Sequence, residues 1–155
     1  MTSRPDLVLE ELYREHGGRL WRALVAYAGD PDVASDAMAE AFAQALGRGA
    51  ALREPMRWVW RVSFRIAAGE LKDRRRRASG LSPPVTTGDE PADELVGLLS
   101  RLSPKQRAAI ILHYYVGYSI GEVARVIGSS AATVRVHLSQ GRKRLRRILE
   151  EEHGG

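Results

Sequence analysis

The length, composition and charge of the chain limit what it can be. Its 155 residues are 44% hydrophobic, which is enough to bury the core of one ordinary domain or of two small helical ones. The 24 Lys and Arg against 19 Asp and Glu give a formal charge of +5, which favours a polyanionic partner such as nucleic acid. Because the chain has no cysteine, a disulfide scaffold, Cys-ligated zinc and a thiol nucleophile are excluded.

The sequence carries no pattern for export or membrane insertion. The N-terminus lacks a basic stretch followed by a continuous apolar run. No uncharged stretch reaches about 18 residues, the length that a membrane-spanning helix needs. We therefore expect a soluble, cytoplasmic protein without membrane insertion.

Helical spacing of apolar residues predicts three helices in the N-terminal half. The first runs over residues 6–28 and is weakened locally by Gly17-Gly18. After the turn GDPD at residues 29–32, apolar residues recur at intervals of three and four over 33–46, which makes the second helix the cleanest amphipathic one. The third helix covers residues 56–77 and ends in four consecutive arginines.

The segment ASGLSPPVTTGDEPAD, residues 78–93, divides the chain. It holds three prolines, two glycines and four Ser or Thr with almost no apolar periodicity, and this composition predicts a flexible linker. No stretch has a convincing strand pattern, and no internal repeat is evident. The predicted fold is therefore all-α, with one small helical domain at residues 1–77 and a second at residues 94–155.

Three shorter helices are predicted at the start of the second domain. Leucines recur over residues 94–101, and Ser103-Pro104 is a good N-cap and first-turn pair for the next helix. A third helix covers residues 120–127, and Gly128 is a natural stop for it. The apolar face of the helix that begins at Pro104 is expected to consist of Ile110, Ile111, Tyr114 and Tyr115.

The stretch RVIGSSAATVRVHLSQGRKRLRR, residues 125–147, has the pattern of a helix-turn-helix. A short helix is followed by a Gly-Ser-Ser turn with a capping serine and by a proline-free segment that begins at Ala131. Six Lys or Arg between Arg135 and Arg147 favour DNA binding, although a basic run alone is more often a solvated helix face. The buried stripe is predicted to be Val134, Leu138, Leu145 and either Ile148 or Leu149. The candidates for base and phosphate contacts are Ser130, Thr133, Arg135, His137, Ser139, Gln140 and Arg142.

A second cationic cluster at the end of the third helix is interleaved with aromatic residues. Such a pattern suits single-stranded or distorted DNA, because rings stack on exposed bases while cations hold phosphates. Trp58 and Trp60, at i and i+2, cannot share one helix face, so we expect at least one of them to pack in the core. The candidate contacts are Trp58, Arg61, Arg65, Lys72, Arg74 and Arg75.

The second helix carries an acidic stripe in an otherwise basic protein, since Asp32, Asp36 and Glu40 recur every four residues. The stripe could dock a basic partner surface or serve solubility, and the spacing leaves both open. Catalysis is not expected, because the four histidines are scattered and no phosphate-binding glycine loop is present. We therefore expect neither an enzyme nor a cofactor or metal site.

The order of these features resembles an extracytoplasmic-function (ECF) sigma factor, a two-domain bacterial transcription initiation factor. The stretch LSPKQRAAIILHYYVGYSIGEVARVIGSSAATVRVHLSQGRKRL resembles sigma region 4, with its Tyr-x-x-Gly-x-Ser-x-x-Glu core and its Thr-Val-Arg turn. In the N-terminal half, LYREHGGRLWRALVAYAGDPDVASDAMAEAFAQAL resembles regions 2.1 and 2.2, and EPMRWVWRVSFRIAAGELKDRRRR resembles regions 2.3 and 2.4. The resemblance covers nearly the whole chain.

The resemblance implies a role for each surface. Asp36, Glu40 and Phe42 would bind the clamp helices of the β′ subunit of core RNA polymerase. Residues 56–76 would face the minus 10 element of promoter DNA, and the helix from Ala131 would read the minus 35 element. Catalysis would belong to the polymerase, and an anti-sigma factor would be a further partner.

Departures from the family pattern keep a second interpretation open, that of a sigma-like DNA-binding regulator or interaction protein that does not itself initiate transcription. Ala39 stands where Gln is common, Arg65 stands where Asn is common, and Gly69 lies inside the third helix. The departures in region 4 predict an unusual minus 35 preference. They are Ala132 in place of Gly, His137 in place of Arg or Lys, and Gln140 in place of Arg.

Overall fold

The computed structural model describes residues 4–77 and 91–153. Over these residues the regular structure is entirely helical, which confirms the all-α prediction. The chain divides into two compact units between residues 79 and 80, and their described parts are called here the N-terminal unit (4–77) and the C-terminal unit (91–153). Most of the predicted linker, residues 78–90, lies outside the described residues. None of the described helices is both long enough and apolar enough to cross a membrane.

Three long helices form the N-terminal unit. They are α1 (Arg4–Ala28), α2 (Pro31–Arg48) and α3 (Pro55–Arg77), and a 3₁₀ turn at Gly49–Ala51 follows α2. All three lie where the apolar spacing predicts them. The helix α1 continues without a break through Gly17-Gly18, because packing along its length outweighs a propensity cost of about 1 kcal/mol per glycine.

The core of the N-terminal unit lies around α2, which packs against both α1 and α3. The rings of Tyr27 and Phe64 lie 5.2 Å apart, and those of Trp60 and Phe64 lie 6.0 Å apart. Trp60 is buried, which confirms that at least one of the two tryptophans packs in the core. The buried face of α2 is rich in alanine, which allows the helices to approach closely. Its members are Val33, Ala34, Ala37, Met38, Ala41, Phe42 and Ala45.

Asp30 ties the turn between α1 and α2 to α3. Its carboxylate caps α2 by accepting a hydrogen bond from the backbone N–H of Asp32 at 2.8 Å, and it accepts another from Nη1 of Arg74 at 2.7 Å. The hydrogen bond from Arg74 lowers the pKa of Asp30, although partial burial acts in the opposite direction. One carboxylate therefore fixes both the start of α2 and the position of the last turns of α3.

The C-terminal unit begins with α4 (Pro91–Leu99), which starts three residues earlier than predicted and so takes in the end of the predicted linker. It continues with α5 (Pro104–Ile110) and a π-helical turn, Ile111–Tyr115, that follows α5 directly. The last two helices are α6 (Ile120–Ile127) and α7 (Ala131–His153).

The two shortest helices of this unit are fixed by their ends. Ser103 and Gln106 form a capping box at the start of α5, and Ser119 and Glu122 form another at the start of α6. The helix α6 ends at Gly128, whose left-handed φ of 70° agrees with the predicted stop. Such short helices are unstable in isolation, so these caps and the packing on α7 maintain them.

The helix α7 packs against α4, α5 and α6. Glycine permits the close approach of α5, because a Cβ at Gly141 would lie only 3.1 Å from Cγ1 of Ile110. Leu145 is half-buried and Leu149 is 42% exposed, so Ile148 rather than Leu149 completes the stripe. The buried residues of α7 are Val134, Leu138, Gly141 and Ile148.

Tyr114 and Tyr115 do not belong to the apolar face predicted for the helix that begins at Pro104. Ile110 and Ile111 are buried as predicted, but Tyr114 and Tyr115 are 57% and 43% exposed. The reason is the π-helical turn, because its wider turn shifts the residues that follow it out of the α-helical register. The prediction assumed an α-helical period throughout.

Candidate nucleic-acid interface

The helix α6, the turn at residues 128–130 and α7 form the predicted helix-turn-helix. The N–H of Ser129 donates to the carbonyl of Ala124 at 3.0 Å, and Ser130 caps α7 by accepting from the N–H of Thr133 at 3.1 Å. The hydroxyl of Ser130 also donates to Oγ1 of Thr133 at 2.9 Å. Two predicted DNA contacts are thus bonded to each other in the helix cap, and both remain exposed.

The first half of α7 presents a mainly polar face to solvent. Arg135 and Gln140 are exposed and Ser139 is half-buried, so three predicted contacts lie close together. Arg135 has no carboxylate within ion-pair distance among the described residues. Val136 was not predicted as part of this surface, yet it is 51% exposed in the middle of it.

Two side chains outside α7 hold polar side chains of this helix in place. Nε2 of Gln106 donates to Oε1 of Gln140 at 3.3 Å, and Nη1 of Arg142 donates to the hydroxyl of Tyr114 at 2.9 Å. Sequence patterns did not identify Gln106 or Tyr114 as part of the surface. No pattern could have done so, because the paired residues are 34 and 28 positions apart in the chain.

His137 does not lie with the other predicted contacts. Both of its ring nitrogens are buried, and neither has a hydrogen-bond partner. Burial lowers the pKa of His137, and the nearby charge of Lys105 lowers it further, so the ring is neutral near pH 7. A ring held in this way offers no nitrogen to DNA, so the geometry does not favour His137 as a minus 35 contact, and that assignment stays a prediction.

The predicted minus 10 contacts on α3 have different environments. Trp58 is half-buried, and the guanidinium of Arg48 lies 5.2 Å from its ring centre. Arg61 is also half-buried, and its Nε is buried without a hydrogen-bond partner. The exposed members of the set are Arg65, Lys72 and Arg75.

Arg74 holds helices together. Its Nη1 lies 2.7 Å from Oδ2 of Asp30, and its Nε lies 3.5 Å from Oε1 of Glu70. The hydrogen bond to Asp30 raises the pKa of Arg74 above its usual range, so the side chain stays charged. These carboxylates already occupy part of the guanidinium, so the geometry does not favour a DNA contact at Arg74, and its assignment to the minus 10 element stays a prediction.

The acidic stripe of α2 is exposed and borders a groove between α2 and α3. Asp36 and Glu40 lie on one side of this groove of about 610 Å³, and Glu70 lines it from α3. Alanines of α2 and Ile66 supply apolar lining. The guanidinium that lines the groove belongs to Arg74, which is already paired with carboxylates. The groove therefore presents a negative rim around an apolar floor.

Phe42 is buried rather than exposed beside these carboxylates. Only 8% of it is exposed, and its ring meets that of Tyr13 edge-on with 5.2 Å between the ring centres. Phe42 is one of the apolar residues that recur at intervals of three and four along α2, a period that favours burial. The geometry therefore does not favour Phe42 as a polymerase contact, and that assignment stays a prediction.

Comparison with known proteins shows relatives over nearly the whole chain. Residues 92–145 match the family described as Sigma-70, region 4. The ECF RNA polymerase sigma factor SigL of Mycobacterium tuberculosis is 29% identical over 160 residues, which cover 93% of this chain and 90% of SigL. SigM of the same organism, also an ECF RNA polymerase sigma factor, is 32% identical over 150 residues, which cover 90% of this chain and 76% of SigM.

A solved structure shares the fold. The sigma factor RpoE of Bartonella quintana, crystallised with the anti-sigma factor NepR, matches with a TM-score of 0.73 at 19% identity. The match covers 91% of this chain and 96% of RpoE. Together with the similarity to SigM over most of both sequences, this establishes that the chain belongs to the ECF RNA polymerase sigma factors, which direct promoter-specific transcription initiation.

Proposed function

We propose that the two units divide the work of initiation. Residues 1–77 act as sigma region 2, which binds core polymerase and recognises and melts the minus 10 element. Residues 94–155 act as region 4 at the minus 35 element, and residues 78–93 link the two. The main support is the helix-turn-helix of α6 and α7, because it lies within the region 4 match and exposes a polar reading face. Catalysis belongs to the polymerase, so the chain needs no active site or cofactor of its own. It works with the polymerase in the cytoplasm.

In the C-terminal unit, the first half of α7 enters the major groove. Arg135 can donate two hydrogen bonds to O6 and N7 of a guanine, which is a common specific contact. The amide of Gln140 and the hydroxyl of Ser139 can reach neighbouring base edges. Arg142 lies further along the helix, and its hydrogen bond to Tyr114 positions it for a phosphate.

Phosphate contacts surround this reading face. The four Lys and Arg within residues 143–147 are exposed and have no carboxylate partner among the described residues. The N-terminus of α7, capped by Ser130, also favours an anion because its N–H groups point outward along the helix dipole. Neutralising phosphates releases counterions, so we expect affinity for DNA to fall steeply with salt.

In the N-terminal unit, α3 faces the minus 10 element. Arg65, Lys72 and Arg75 are exposed and suit contacts to the phosphates of a separated strand. Trp58 is the aromatic side chain that remains partly accessible for stacking, since Trp60 is buried. Arg61 lies one turn from Trp58 and contributes a fourth cation, which is half-buried.

The acidic rim of the groove between α2 and α3 suits the clamp helices of the β′ subunit if these present basic side chains. Asp36 and Glu40 are exposed and have no cation within ion-pair distance among the described residues, whereas the carboxylate of Glu70 is already paired with Arg74 and Arg77. Complementary charge speeds association and selects the orientation of the partner. Ala39 contributes no polar group to this surface, so binding relies on the carboxylates and on apolar contact within the groove.

An anti-sigma factor is a further proposed partner. RpoE, which shares the fold over nearly its whole length, was solved in complex with the anti-sigma factor NepR. We propose that a protein of this kind also binds the present chain. It would compete with polymerase if it covered the surface around Asp36 and Glu40.

Reconstitution with core polymerase tests the proposed function. The purified chain is mixed with core enzyme, and the complex is examined by size-exclusion chromatography and then by run-off transcription on DNA that the complex selects. We expect co-elution and discrete transcripts. A chain that fails to co-elute contradicts the sigma role, and co-elution without transcripts favours a sigma-like regulator.

A further inference from the structure

Val136 is an apolar side chain at the centre of a polar surface. It is 51% exposed, and Arg135, Ser139 and Gln140 are its neighbours on the outer side of α7. The apolar residues two positions before and after it, Val134 and Leu138, are both buried and provide the packing of this part of the helix. Val136 therefore adds little to the core of the unit.

Helix stability does not account for a valine at this position. A β-branched side chain is restricted at χ1 and is a weaker helix former than alanine, glutamate or lysine. Its exposed methyl groups also remain in contact with water, from which an apolar partner would remove them favourably. A valine at this position is thus better explained by contact with a binding partner than by the stability of the unit on its own.

The chemistry of the major groove limits what such a side chain can recognise. Each base edge presents hydrogen-bond donors and acceptors, and thymine alone adds an apolar C5-methyl group. An isopropyl group makes no hydrogen bonds, so the thymine methyl is its complement. We infer that Val136 packs against the C5-methyl of one thymine in the minus 35 element and selects a T·A pair there. This inference rests on the proposed function of α7 as the reading helix.

The surroundings of Val136 favour such a contact. The hydrogen bonds from Gln106 to Gln140 and from Arg142 to Tyr114 tie α7 to α5 and to the π-helical turn. A valine side chain has little rotamer freedom, so ordering it against a methyl group costs little entropy. Arg135 and Ser139 can meanwhile bond to neighbouring groups of the groove.

Replacing thymine by deoxyuridine tests the inference, because this change removes only the methyl group. The full chain is assembled with core polymerase, its minus 35 sequence is taken from the DNA that the complex selects, and each thymine on either strand is replaced singly. We expect the wild-type complex to lose about three- to fivefold in affinity at one position. The variant Val136→Ala should be indifferent to deoxyuridine at that position.

Leu149→Ala is the matched control. Leu149 is also an apolar residue of α7, 42% exposed, but it lies more than three turns beyond Val136. This variant should respond to deoxyuridine as the wild type does.

Two outcomes would overturn the inference while leaving the sigma function intact. One is a wild-type complex that is indifferent to every deoxyuridine, and the other is a Val136→Ala complex that shows the full wild-type response. A chain that forms no complex with polymerase, or a complex that selects no promoter, contradicts the proposed function instead.

Discussion

The two units place their basic residues in different ways. Towards the end of α3, Arg74 pairs with Asp30 and Glu70 and holds the helices of the N-terminal unit together. In α7, by contrast, Arg135 and the basic residues within 143–147 have no carboxylate partner among the described residues. Within the basic run of α3, the exposed residues that carboxylates leave unpaired, such as Arg75, are therefore better candidates for DNA contacts than Arg74.

The surfaces that the two units expose also differ in sign. Asp36 and Glu40 on α2 are exposed and have no cation within ion-pair distance among the described residues, whereas the outer face of α7 is basic. The chain thus has a negative surface on α2, which we propose meets a protein partner, and a positive surface on α7, which we propose meets DNA. Substitutions can alter each surface without touching the other.

Reversing the charge on α2 should have the largest effect. The double substitution Asp36→Lys and Glu40→Lys should reduce affinity for core polymerase by about a hundredfold or more, because like charges placed against each other at an interface cost several kcal/mol. Titration of the labelled chain with core polymerase at physiological salt measures this. Helicity by circular dichroism should be unchanged, since both residues are exposed.

The double substitution Glu150→Lys and Glu151→Lys is the matched control, because it changes the net charge equally on exposed residues of α7. It should bind polymerase as the wild type does. Equal losses in the two variants would show that net charge governs binding. If the α2 variant bound core polymerase with unchanged affinity, the acidic stripe would serve solubility only. The proposed contrast between a protein-binding surface on α2 and a DNA-binding surface on α7 would then be wrong.

Removing Arg135 should have the next largest effect. Arg135→Ala should weaken promoter binding on the order of tenfold to a hundredfold, as expected for a bidentate base contact, and should weaken binding to unrelated DNA much less. Lys143→Ala is the control, which should weaken both equally and reduce the dependence on salt. Equal losses on both DNAs in the Arg135 variant would make this residue a phosphate contact as well. Competition binding with labelled promoter DNA measures both ratios.

The bridging carboxylate of the N-terminal unit should contribute to stability rather than to binding. Asp30→Ala should lower the free energy of unfolding by about 1–2 kcal/mol, through loss of the helix cap and of a partly exposed ion pair. Asp30→Asn keeps a cap acceptor and should cost less. Tryptophan fluorescence during urea unfolding reports this unit alone, because it holds all three tryptophans. Asp32→Asn is the control, and an equal loss there would contradict the bridging role.

Acidification should destabilise the two units over different pH ranges, because one titrating residue in each unit has a lowered pKa. Because the pKa of Asp30 is lowered, its carboxylate stabilises the N-terminal unit fully above pH 3.8, the ordinary pKa. This stabilisation is lost as the pH falls through the pKa of the folded state. His137 also has a lowered pKa, but here the folded state favours the neutral form of the side chain, whereas at Asp30 it favours the charged form. The C-terminal unit should therefore lose stability as the pH falls below 6.5, the ordinary value for histidine, down to the folded pKa.

Hydrogen exchange of α7 and α3 near pH 7.5 and about pH 5.5 measures this difference, since α7 should lose protection first. His137→Leu removes the titrating ring next to Lys105 and should abolish the change in α7 over this interval. Loss of protection that persists in the variant would assign the effect to another group.

Local rules predict most of the fold. The apolar spacing places the seven described helices with starts correct to about three residues, and the polar caps explain where the short ones begin. Ser103 caps its helix as predicted, Ser130 is the serine of the Gly-Ser-Ser turn that caps α7, and Gly128 ends α6 in the left-handed conformation. These features depend only on residues within a few positions of each other, which is why the sequence reveals them.

The environments of individual side chains depend on distant residues and were predicted less well. Arg74 is paired with a carboxylate 44 positions away, and the ring nitrogens of His137 are buried by the packing of the unit. Tyr114 is exposed because of a π-helical turn, which no periodicity predicted. Phe42 is a different case, since its apolar period predicted burial and only the family resemblance assigned it to a binding surface.

The smallest effect is expected at Arg142, the basic residue of α7 that is held by a tyrosine instead of a carboxylate. Tyr114→Phe removes the hydroxyl that accepts its hydrogen bond and should weaken binding to promoter and unrelated DNA alike, by about two- to fivefold. In an Arg142→Ala background the same substitution should change nothing, and a double-mutant cycle of affinities measures this coupling. An equal loss in both backgrounds would mean that Tyr114 contacts DNA itself. The hydrogen bond to Tyr114 would then not orient Arg142 for DNA. Every basic residue of α7 would bind DNA without help from a partner side chain, unlike Arg74, which is paired with carboxylates.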